Sequence, residues 1–147
     1  MQSNSPYDFT HVNIVRITAA DPLAGFVGVL TLAANWRYMP LLIRCQFATS
    51  AAAGDRYPVW STLLRGTSYQ IACSSQAQAA STTLFYTAFI GMGAPVHCLD
   101  SYQISMMLPS LLILESADTI SLSWAGLDGG DQISAISGIF ARWPSNL

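Results

Sequence analysis

His97-Cys98-Leu99-Asp100 is the one stretch of this chain where a histidine, a cysteine and an aspartate stand together. Such groups make a nucleophile, a base and an orienting acid only if they converge in space. Neighbours on an extended chain point to opposite sides, which works against convergence. Zinc asks for four ligands at about 2.0–2.3 Å. The chain offers two histidines, His11 and His97, and three cysteines, Cys45, Cys73 and Cys98, with no CxxC pair. A loop around a buried cysteine is therefore expected at 97–100.

Asp128-Gly129-Gly130-Asp131 presents carboxylates that calcium favours. It lacks the further Asp or Asn ligands and the closing Glu of a calcium loop. Asp and Gly form turns unaided, so a hairpin turn is expected. Gly91-Met92-Gly93 is no phosphate loop, because no helix is expected after it and the chain has no lysine. Neither GxSxG nor HExxH occurs. Most of the eight acids, such as Asp21, Asp55, Asp118 and Asp128, sit at turn positions, a poor source for a paired-carboxylate site. These readings predict no enzyme, no metal and no cofactor.

Four tryptophans remain. Trp124 alternates with Ile120 and Leu122, as a core residue would. Trp36-Arg37-Tyr38 and Arg142-Trp143 instead fall in a connecting and a terminal segment. Trp, Tyr and Arg anchor interfaces, so Trp36, Arg37, Tyr38, Arg142 and Trp143 are the predicted subunit contact. The alternative use of the indoles is a sugar platform, since aromatic faces stack on apolar ligand surfaces.

The elements that must hold these residues follow period-two alternation. Val12–Thr18, Gly25–Ala33, Leu41–Thr49, Tyr57–Leu64, Ser68–Cys73, Thr82–Gly91, Gln103–Leu108, Ser110–Leu114, Thr119–Trp124 and Gln132–Trp143 read as strands. Asn35–Pro40 reads as a connection and Ser74–Ser81 as a small polar loop. No stretch forms a convincing amphipathic helix. The prediction is an all-β, antiparallel β-sandwich, jelly-roll-like, with about eight strands. A polar arm, residues 1–10, precedes a single domain, 11–147.

Composition narrows the function classes. Only 10% of residues are charged, with a single glutamate, Glu115, and no lysine; about a quarter is usual. Hydrophobic residues make up 52%. A surface of Ser, Thr, Ala, Gln and Gly implies an exterior largely covered by partners. The six arginines are scattered and the pI is near 5.4, which argues against nucleic-acid binding. Mean hydropathy is +0.38, yet no apolar run approaches the roughly 18 residues of a spanning helix, and no membrane association is expected. The polar N-terminus does not read as a secretory signal. Three unpatterned cysteines suit a reducing cytoplasm.

The run RYMPLLIRCQFATSAAAGDRYPVW, Arg37 to Trp60, resembles a segment common in small virion proteins of tailed bacteriophages. The run LLILESADTISLSWAGLDGGDQISAISG, Leu111 to Gly138, is similar to the end of the same kind of domain. The resemblance implies a jelly-roll head decoration (cement) or minor capsid protein. It would be made in the host cytoplasm and sit on the capsid exterior. Its partners would be itself, as a homotrimer, and the major capsid protein. The alternatives are a neck or tail component, or the receptor- or glycan-binding head of a virion spike using the loops Ser74–Ser81 and Gly91–Asp100.

Overall fold

Alternating burial builds nine strands among the described residues. They are β1 (Asn13–Thr18), β2 (Gly28–Thr31), β3 (Trp36–Ala48), β4 (Tyr57–Leu64), β5 (Thr67–Cys73), β6 (Thr83–Ile90), β7 (Gln103–Leu108), β8 (Thr119–Ala125) and β9 (Gln132–Pro144). They come from a computed structural model that describes residues 12–74, 77–91 and 103–145. Among these there is no helix long and apolar enough to cross a membrane.

A larger sheet has the order β1-β9-β3-β6-β7 and a smaller one β2-β8-β4-β5. With β7 set aside, β1-β9-β3-β6 faces β2-β8-β4-β5. The chain changes sheet at each step from β1 to β4, again between β5 and β6, and on either side of β8. This is the double Greek-key path of a jelly roll. The expected all-β sandwich is therefore present, with one correction: β7 pairs parallel to β6, so the sheet is not wholly antiparallel.

The inward residues of β3, β4, β6 and β8 meet as an aromatic core. Phe47 stacks on Trp124 with ring centres 4.0 Å apart and planes 16° apart. Tyr86 and Trp60 meet Trp124 edge-on at 5.2 and 6.3 Å. Each fully buried large side chain stabilises the fold by about 1.5–3 kcal/mol.

Four sequence expectations shift. β3 begins at Trp36, five residues before the expected Leu41. Proline has no N–H to give a ladder. Here the pairing with β9 slips between Pro40 and Leu42, so the strand passes through Pro40. β9 slips once more opposite Arg44 and Gln46, where Ala135 takes φ 51°. That bulge changes which alternate residues point inward: Ile133 is buried before it, and Ile136, Gly138 and Phe140 after it. β2 is only Gly28–Thr31, because residues 24–26 are spent in a turn and bend. Ser110–Leu114 forms no strand and keeps one bridge, Leu114 to Tyr38.

Turn chemistry fixes the two ends. Arg65 (φ 48°) and Gly66 (φ 84°) join β4 to β5 in a two-residue turn with both φ positive, the form that suits strand twist. Buried Asp118 accepts the Arg65 amide at 3.0 Å and the Glu115 amide at 2.7 Å, which ties the turn before β8 to that hairpin. The edge strands β2, β5 and β7 carry no charged residue.

Candidate functional site

The five residues predicted as a contact cluster occupy consecutive rungs of one ladder. Trp36 pairs with Pro144, Arg37 with Trp143, and Tyr38 with Arg142. Alternation then divides them. On one side the Arg142 guanidinium lies 4.3 Å from the Trp36 ring centre, a cation–π contact. Tyr38 shares that side but belongs to the core. It is 1% exposed and meets Phe140 edge-on at 6.0 Å, so it supports the cluster and offers no side chain to a partner. Arg37 and Trp143 face the other way.

There, at the open end of the sandwich, lies a cleft of about 570 Å³. Arg37, Leu64, Arg65, Thr67, Tyr69, Ile113, Glu115, Asp118 and Trp143 line it. The Asp118 tie positions both the Arg65 turn and Glu115. Glu115 Oε1 lies 3.5 Å from Arg37 Nε and 3.8 Å from Arg65 Nη2. Charge-assisted hydrogen bonds close to about 2.7–2.9 Å. These longer surface pairs are worth about 0–1 kcal/mol each. They leave the guanidinium N–H groups and the carboxylate able to meet a ligand. Sequence reading missed Arg65, Tyr69 and Glu115, because they come from turns and an edge strand far apart in the chain.

The opposite end is a structural clamp. Asp131 accepts Arg56 Nε at 3.1 Å and Nη2 at 3.3 Å, and the amides of Ser50 and Asp128 at 2.8 and 2.7 Å. Arg56 also donates to the carbonyls of Ala52, at 2.9 Å, and Gly54. Burial pushes the Asp131 carboxyl up. The two amides and the guanidinium outweigh that and hold it below its ordinary value. The Gly130 amide and the Ser50 hydroxyl likewise hold Asp128 low. Asp128-Gly129-Gly130-Asp131 is the expected turn, and its oxygens are engaged by the protein itself.

Beside the clamp, buried Gln78 donates to the carbonyls of Phe47 and Thr82, each at 3.0 Å, and accepts from the Tyr86 hydroxyl at 2.9 Å. Its backbone bridges Arg56. The described part of the Ser74–Ser81 loop is therefore pinned down. Burial pushes the Cys45 thiol up, whereas Cys73 is exposed. The arm Met1–Thr10, His11, His97-Cys98-Leu99-Asp100 and most of Gly91–Asp100 lie outside the described residues. Among the described residues, no three of His, Cys, Asp and Glu group together.

The outward sheet faces differ from each other. On the larger sheet, register aligns Ile139, Leu42, Phe89 and Met107 in one apolar row across β9, β3, β6 and β7. Arg16 on β1 ends the row, and Ile14 stands beside it, 63% exposed. Arg44 lies on the same face, its guanidinium 4.9 Å from the Phe85 ring centre. The smaller sheet's outward face places Val29, Ser121, Ser61 and Gln70 in one row and Thr31, Thr119, Leu63 and Ser68 in the next. It bears no charged side chain.

Compared with known proteins, the chain matches no family model, no curated protein and no solved structure.

Proposed function

We propose that this chain is a virion structural protein: a decoration or cement subunit that binds the outside of a phage head as a homotrimer and bridges adjoining major capsid subunits. One observation carries the reading. The smaller sheet's outward face has no charged side chain, and the larger sheet's is crossed by the row Ile139, Leu42, Phe89 and Met107. Covering charges costs desolvation energy, which the smaller sheet's uncharged face avoids and which the larger sheet's apolar row keeps to its arginine margins. Apolar area removed from water contributes about 25 cal/mol per Å², so a contact of ordinary size stabilises modestly and gains by repetition over a lattice.

The charges beside the larger sheet's apolar row, Arg16 and Arg44, are both positive. Two copies facing across a twofold axis would set arginine against arginine. A ring of head-to-tail contacts avoids this, and the proposed trimer is such a ring.

Light scattering on the purified chain, alone and mixed with capsids stripped of it, tests the proposal. The expected mass is about 47 kDa, three times the 15.8 kDa chain, with rebinding at a fixed ratio. Leu42→Glu and Met107→Glu are expected to give monomers that no longer rebind. A wild-type monomer that ignores stripped capsids overturns the proposal.

A further inference from the structure

The cleft at the open end carries chemistry that a flat assembly surface does not use. Its charged residues are Arg37, Arg65, Glu115 and Asp118, two positive and two negative, so the formal sum is zero. Asp118 is spent on backbone amides through both oxygens. Glu115 is not: both arginine contacts fall on Oε1, at 3.5 and 3.8 Å. Trp143 and Tyr69 add aromatic faces, the latter 52% exposed.

We infer that this cleft binds a neutral polyhydroxylated ring, a hexose unit of a glycan. Sugar hydroxyls both donate and accept, which suits a guanidinium–carboxylate–guanidinium row. The C–H face of a pyranose packs on an aromatic ring. An anion would meet the Glu115 carboxylate along with the arginines, and a cation would meet two guanidiniums. A wholly apolar ligand would bury those charges without partners. The volume, about 570 Å³, lies in the usual range for a small-molecule site. This inference requires neither the trimer nor the capsid, so it stands or falls apart from the proposal above.

Two-dimensional NMR on the full chain, following the Trp143 indole and the Arg37 and Arg65 side-chain N–H signals, provides the test. The probes are methyl galactoside, glucoside and mannoside, with free sialic acid and inorganic phosphate as charged comparators. At least one neutral hexoside is expected to move all three signals with a Kd of about 1 mM. Trp143→Ala and Arg65→Ala are each expected to weaken it about tenfold. If Trp143→Ala fails to fold, Arg65→Ala decides alone, because that side chain is 83% exposed. The inference is overturned if no neutral hexoside moves these signals at about 50 mM. It is also overturned if phosphate or free sialic acid binds more tightly, or if Arg65→Ala binds as the wild type does.

Discussion

Asp131→Asn should be among the most damaging conservative changes in this protein. The Asp131 carboxylate takes four hydrogen bonds, two from the Arg56 guanidinium and two from amides. Both side chains are nearly sealed from water, at 2% and 0% exposure. Asparagine keeps the shape but replaces one accepting oxygen with a donor, and it leaves Arg56 buried without a counter-charge. Hydrogen bonds to charged groups contribute about 1.5–3 kcal/mol each, and removing one partner of a buried pair costs about 3–5 kcal/mol. Urea m-values are about 1–3 kcal/mol per M, so the unfolding midpoint should fall by about 2 M with m unchanged.

The pH dependence carries a sign. Asp131 titrates lower in the folded chain than in the unfolded one. Its stabilisation is then fully present above the unfolded value, about 3.9, and is lost as pH falls through the lower folded value. The gap between wild type and Asp131→Asn should hold from about pH 5 upward and shrink below. Urea titrations at neutral and acid pH measure both effects. A loss under about 1 kcal/mol at pH 7, or a gap that widens in acid, would refute the assignment of this pair as the clamp.

Three further outcomes follow from the same geometry. Gly126→Ala should cost about 2 kcal/mol in urea unfolding, since φ is +81° and the new Cβ would sit 2.7 Å from the Asp55 carbonyl oxygen. Tyr86→Phe should cost about 1–3 kcal/mol, because it removes the hydroxyl that donates to buried Gln78 Oε1; thermal unfolding reads this. In a Cys98→Ser background, one thiol should react with a chromogenic disulfide reagent in the native protein, Cys73, and Cys45 only after unfolding. Rapid native reaction of both would contradict the core position of Cys45.

The fold was legible wherever alternation ran unbroken. Thr119 to Trp124 reads directly as a half-buried strand, and Ile120, Leu122 and Trp124 do point inward. Asp128-Gly129-Gly130-Asp131 announced its turn because the turn residues are local. Bulges were not legible, since one extra residue such as Ala135 reverses the face of all that follows. Nor was the clamp, because nothing in either neighbourhood ties Arg56 to Asp131, which lies 75 residues on. Only two of the residues that line the candidate site were foreseen. Trp143 and Arg37 stood out by residue type, whereas Arg65, Tyr69 and Glu115 are ordinary surface residues until the hairpin and the Asp118 tie bring them together.

The place of β9 bears on how the chain is made. It lies between β1 and β3 inside the larger sheet, with Asn13 opposite Arg142. A ribosome releases the chain from its N-terminal end, so β1 emerges with no strand to join it, and β3 can pair with β6 on one edge while its other edge stays open. They must wait until residue 144 clears the exit tunnel. During that interval each offers a bare edge to any neighbouring nascent chain. Synthesis on crowded polysomes should therefore be the step most prone to error, and products stopped before Gln132 should precipitate.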